Sequence, residues 1–246
     1  MLIAFETPSS LLELQNLADF DFLLAHRVLS GKDGRPVSTR MCILDNSCNE
    51  LGDPLPIDKL LSAANLVNPE FVCAPDFLGD GEKTLFSLKD FEARYSSKKV
   101  FPILQASSFK EASSYAKSIY SLGYRRIAVP YDITCSKEAD LAVMRGNRTR
   151  VVDILANTGF TWIHLLGMNL VSELHNYAFL PQVKTLDTGS PITNGLEYRH
   201  FGENEQLPKT RMLDLDYEHP TKEQLFSICY NIAYLRMIVN REELNA

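Results

Sequence analysis

The segment VKTLDTGSPITNG, residues 183–195, runs from a short apolar stretch into a lone acid, Asp187, and then into a turn rich in Thr, Gly, Ser and Pro. A strand that delivers one carboxylate to a turn acquires meaning only if other strands do the same. Seven further β-rich runs precede it: LIAFE (2–6), FDFLLAHRVL (20–29), RMCILD (40–45), EFVCAPD (70–76), KVFPILQ (99–105), RRIAVPY (125–131) and WIHLLGM (162–168). Several are apolar throughout rather than alternating, the pattern of parallel strands buried on both faces.

Helix-like segments lie between them. PSSLLELQNLA opens on a Ser cap, IDKLLSAANLV on Asp58 as a cap, and SFKEASSYAKSIYSLG stops at Gly123. CSKEADLAVMRGNRTRVVDILANTG is long enough for two helices broken near Gly146, and TKEQLFSICYNIAYLRMIVNREEL (221–244) predicts a long terminal helix. Strand two departs from the pattern, because the turn-rich SGKDGRPVSTR follows it. Eight strands alternating with helices predict an α/β fold. The expected form is a single (β/α)8 TIM-type barrel over residues 1–246, irregular after strand two. An open doubly wound sheet is the competing arrangement.

Composition narrows the functional classes. The chain has 246 residues, 45% of them hydrophobic, enough to bury a large core. Its formal charge of -6 argues against overall attraction to nucleic acid and leaves local basic patches open. The five cysteines are scattered without CxxC or CxC spacing, which predicts neither a disulfide scaffold nor a zinc site. No basic leader or long apolar segment is visible, so a soluble cytoplasmic protein without membrane association is expected.

In a parallel barrel the C-terminal strand ends surround one mouth, where active sites form. Reading that position gives Asp45, Asp76, Gln105, Asp132 and Asp187. An acid after a strand is commonly an Asx turn or a helix cap, as expected for Asp80. Asp45, Asp76 and Asp187 together suggest more. Carboxylates sharing a rim repel, and catalysis can use that by keeping one ionised while another stays protonated.

In their order along the chain, ILDNSCNELG (43–52), APDFLGD (74–80), FPILQASS (101–108), RRIAVPYD (125–132), HLLGMN (164–169) and TLDTGSPI (185–192) resemble the guanine transglycosylase superfamily. The similarity is greatest to the compact phage-type enzymes that exchange guanine in DNA for a 7-deazaguanine of the preQ0 type. The resemblance covers roughly residues 1–200. It implies Asp187 as nucleophile, Asp45 as second catalytic acid/base, and Asp76 and Gln105 as readers of the base. The Val129–Pro130 strand end would contact the base through its backbone. Pro130 departs from the Gly-rich family pattern and has no amide to donate. Cys48 and Asn49 stand where the family has glycines, and the zinc site of the tRNA enzymes is absent.

The implied partners are DNA and a free 7-deazaguanine base, with no cofactor and no metal. A homodimer is left open. The chemistry matches the residues. A carboxylate can stabilise the oxocarbenium-like transition state at C1′ and bond to the sugar, while a second acid manages the base's proton. A base flipped out of a duplex needs an aromatic to stack on, for which Tyr131, Phe77 and Phe109 are candidates. Arg145, Arg148 and Arg150 follow a strand-end loop and are the expected phosphate contacts, with Lys184, Arg199, Lys209 and Arg211 further on. Arg125 and Arg126 open a strand and face the opposite end. His164 and His175 are expected in the core or rim. The alternatives are a tRNA-type enzyme acting on RNA, an N-glycosidase, and a non-catalytic nucleic-acid-binding subunit.

Overall fold

Strands that are apolar on both faces need cover on both, and the fold supplies it. The computed structural model describes residues 1–33, 40–134, 141–177, 179–209 and 212–244. Its strands are β1 (Leu2–Phe5), β2 (Asp21–Leu24), β3 (Cys42–Asp45), β4 (Phe71–Cys73), β5 (Val100–Phe101), β6 (Arg126–Pro130), β7 (Trp162–Leu166) and β8 (Val183–Thr188). They form two parallel four-stranded sheets, ordered β1-β8-β7-β6 and β2-β3-β4-β5. Hydrogen bonds cross both seams between the sheets. Ile103 bridges Ala128 in parallel, and the Leu104 amide donates to the Ala128 carbonyl at 2.9 Å. At the other seam the Asp19 amide donates to the Ile3 carbonyl at 2.8 Å, and the Ile3 amide donates to the Asp19 carboxylate at 3.0 Å.

Alternation along each strand divides the apolar residues into two cores. Ile3, Leu23, Leu44, Val72, Ile127 and Leu186 join the larger core with the helices. Their neighbours Ala4, Phe22, Ile43, Cys73, Phe101 and Ala128, drawn from both sheets, form a second. Uniformly apolar strands thus reflect two different apolar environments, not one.

The helices are α1 (Ala25–Leu29), α2 (Cys48–Leu51), α3 (Ile57–Val67), α4 (Gly81–Glu92), α5 (Phe109–Ser121), α6 (Leu141–Thr158), α7 (Ser190–Leu196) and α8 (Lys222–Leu244). Caps are mixed. Asp80 and Ser108 accept the amides of Lys83 and Glu111, at 2.9 and 3.3 Å. Asp58 does not cap α3: it lies in the first turn, after Pro56, and pairs with Arg94.

Several expectations are corrected. The second strand ends at Leu24 and the rest of its apolar run is α1. The first helix-like segment is a kinked 3-10 helix, Ser9–Leu17. Gly146 does not break α6, because in a helix exposed at that point it needs no special backbone angle. The turn expected at Thr188–Ser190 leads straight into α7, with Pro191 in its first turn, where the missing amide costs no helical bond. Cys135, Arg211, the first residues of CSKEADLAV and positions 34–39 of the strand-two link lie outside the described residues.

α7 and α8 touch at Gly195. A β-carbon there would fall 2.6 Å from both the backbone N and Cα of Ile228. Gly195→Ala is therefore expected to force the helices apart and destabilise the protein by about 1–3 kcal/mol. A shift of the urea midpoint to lower concentration, with secondary structure retained, is the measurement.

Candidate active site

Strand register decides which residues meet. Across β1–β8, Ala4 lies opposite Asp187, and across β2–β3, Leu24 lies opposite Asp45. A cavity of about 270 Å³ is lined by Asp45, Asp76, Gln105 and Asp187 together. Its lining also includes Glu6, Glu50, Asp132 and Tyr131, and among the described residues Lys209 is its one cation. Phe22, Leu24, Leu166 and Leu215 supply apolar wall.

Asp187 is buried and fully engaged. Its Oδ1 accepts the Gly167 amide at 3.0 Å and lies 3.0 Å from His164 Nε2. Gly167 adopts a φ of 66°, a left-handed value that favours glycine. His164 Nδ1 lies 3.0 Å from Thr185 Oγ1, which also accepts the Trp162 indole N–H at 2.8 Å. An indole only donates, so the Thr185 hydroxyl proton is free to turn toward Nδ1. A carboxylate at Asp187 only accepts, so in a neutral imidazole the proton sits on Nε2 and Nδ1 accepts from the Thr185 hydroxyl. Phe22 stacks on the imidazole at 5.6 Å, with Phe101 edge-on at 5.8 Å. Burial opposes charge on Asp187, but His164, the Gly167 amide and a hydrogen bond with Glu6 outweigh it and hold this carboxyl below its usual range.

Asp45 is the opposite case. Its Oδ2 accepts the Ser47 amide at 2.6 Å, across a turn in which Ser47 has a φ of 64°. Burial first, then the charge of Glu50, push its proton affinity well above the carboxylate range, with smaller contributions from Asp76 and Asp187. On one cavity, therefore, two carboxyl groups are pushed in opposite directions.

Asp76 and Gln105 act as a unit. Asn46 Nδ2 donates to Asp76 Oδ1 at 2.8 Å, and Gln105 Nε2 donates to Oδ2 at 2.6 Å. Gln105 Oε1 already accepts the Gly79 amide at 3.0 Å, so what Gln105 presents is its second N–H rather than an acceptor. Burial raises the Asp76 pKa, against the lowering effect of those two donors.

One expectation fails. Arg148 is fully buried and cannot reach a phosphate. Its guanidinium forks onto Glu173 at 2.6 and 2.5 Å and donates to the Leu166 carbonyl at 2.9 Å. Tyr177 donates to the same carboxylate at 2.7 Å. This buried pair braces the end of β7, which carries Gly167. Val129 packs its side chain in the larger core against the helices, and its strand end meets the cavity at the next residue, Pro130. Alternation along β6 sends its side chain away.

Of the aromatics, Tyr131 lines the cavity; Phe77 lies under Lys83 and Phe109 under Arg150, at 3.6 and 4.1 Å. Arg145 bonds Ser172 at 3.2 Å, and Arg150 is exposed on α6. His164 and Glu6 were not anticipated as site residues. Glu6 had a clear signal, since it ends the first strand-like run as Asp187 ends the eighth. His164 had a weaker one, a lone polar residue inside an apolar strand. Among the described residues no group of three His, Cys, Asp or Glu side chains is placed to hold a metal, and no helix is long and apolar enough to cross a membrane. No protein-family model matches the chain, and no match was found among curated proteins.

Proposed function

We propose that the chain is a base-exchanging glycosyltransferase that replaces guanine in DNA by a free 7-deazaguanine. It would work at the mouth of one closed (β/α)8 barrel, its two sheets joined at the Ile103–Ala128 and Ile3–Asp19 seams. What supports this reading is the contrast on one cavity between Asp187, whose pKa its partners lower, and Asp45, whose pKa burial and Glu50 raise.

Asp187 attacks C1′ as the C1′–N9 bond breaks and its electron pair passes to the base. Asp45 gives its proton to the departing guanine. The incoming deazaguanine returns a proton to Asp45 as its N9 attacks C1′ and Asp187 is released. Asp76 accepts from the ring and exocyclic N–H groups of guanine, and the second N–H of Gln105 donates to its O6. Tyr131 offers a face for stacking the flipped base. Lys209 at the cavity, and Arg145 and Arg150 beyond it, are the cations for the phosphates. The chemistry needs neither metal nor organic cofactor.

The test is incubation of duplex DNA, single-stranded DNA and tRNA with labelled guanine. Label in DNA is the expected result. Label in tRNA alone moves the reading to an RNA enzyme, abasic sites indicate an N-glycosidase, and no product with retained binding indicates a non-catalytic barrel.

A further inference from the structure

Glu6, Glu50 and Asp132 line the cavity without a part in the reaction above. Glu6 follows β1, and its amide donates to the Thr188 carbonyl at 3.1 Å, continuing the register that sets Ala4 opposite Asp187. Glu6 and Asp187 thus stand at the ends of neighbouring strands and line one cavity. Space is kept for it by Gly189, where an added β-carbon would lie 3.0 Å from Glu6 Oε2. Both carboxyl groups line the cavity, and a hydrogen bond between them raises the pKa of Glu6 and lowers that of Asp187. Such a bond requires a proton, since ionised carboxylates only accept.

The charged groups facing Glu6 come from three elements. Lys209, from the segment after α7, stands 4.0 Å from Oε2, beyond hydrogen-bond distance. Asp187 on β8 and Glu50 on α2 both disfavour a further negative charge.

We infer that Glu6 is a positioning acid for Asp187: carrying a proton, it donates the hydrogen bond that orients the nucleophile and keeps the pair at a single negative charge. Its consequence for turnover rests on the base-exchange reading, whereas the shared proton is a property of the free protein. Burial, against the pull of Lys209 and reinforced by Asp187, raises Glu6 to about 8. Below that pH the pair has one charge. Above it the pair has two, they repel, and the orienting bond is lost, so exchange falls on the alkaline side.

Two measurements test this. In carboxyl 13C NMR of the full chain, Glu6 is expected to titrate near pH 8, and Glu6→Gln to abolish that transition. Glu6 titrating in the ordinary range near ~4.3 would overturn the proposal. In the exchange assay, Glu6→Gln keeps a donor to Asp187 and is expected to rescue turnover relative to Glu6→Ala, leaving the alkaline limb to Asp45 alone. Glu6→Ala should lose at least about tenfold in kcat, the worth of one hydrogen bond to a charged group, with KM little changed. A Glu6→Gln protein that turns over no faster than Glu6→Ala also overturns it. Wild-type protein that exchanges no base on any nucleic acid defeats the base-exchange reading instead, and the titration then decides Glu6 by itself.

Discussion

Asp187→Asn is expected to lower guanine exchange by at least ~10³-fold while leaving the fold intact, because covalent catalysis has no substitute group at that point. Asn is nearly isosteric, and its Oδ1 still accepts from His164 and the Gly167 amide, both of which meet Asp187 at 3.0 Å. The unfolding midpoint should therefore stay close to wild type. Trapping on a denaturing gel separates the two acids. Wild type should show a shifted nucleic-acid–protein band, and Asp187→Asn none. Asp45→Asn removes the proton donor but keeps the nucleophile, so turnover falls while some covalent band persists. A folded Asp187→Asn protein that exchanges at near wild-type rate would reassign the nucleophile to Asp45 or Asp132.

The second large effect is on stability. Arg148→Ala is expected to destabilise the protein by about 3–5 kcal/mol, because it strands the buried Glu173 carboxylate without its countercharge. It also removes the donor to the Leu166 carbonyl at the end of β7. Urea unfolding measures the loss. Replacing both partners, as Arg148→Met with Glu173→Leu, should recover much of it, because no unpaired charge is left behind. An Arg148 that contacted phosphate would behave otherwise. Its loss would leave stability within about 0.5 kcal/mol and lower the salt dependence of nucleic-acid binding by about one phosphate.

Strand ends were the legible part of this molecule. Asp45, Asp76, Gln105 and Asp187 were found because a parallel strand exposes its last polar residue at one end, and all four line the same cavity. Glu6 obeys the same rule at the end of the first strand-like run. The pairing of His164 with Asp187 was not legible, since in a strand apolar on both faces nothing marks which face holds which core. Arg148 was misread for a different reason. Met144, Arg148, Val151 and Leu155 form the buried stripe of α6 at helical spacing. A break assumed at Gly146 divides that stripe and leaves the arginine looking exposed. The helix at 190–196 was hidden because its small polar residues carry the composition of a turn while being buried.

Trp162 is the chain's single tryptophan, and its indole N–H ends the hydrogen-bonded series that runs through Thr185 and His164 to Asp187. The protein therefore contains one indole fluorophore, three hydrogen bonds from Asp187. Any event that alters the charge on Asp187, whether ester formation or protonation, reaches the indole through groups that must each rotate or release a proton in response. Intrinsic emission, unmixed with signal from other tryptophans, becomes an optical readout of one carboxylate, and stopped-flow mixing with nucleic acid can follow it without labelling either partner.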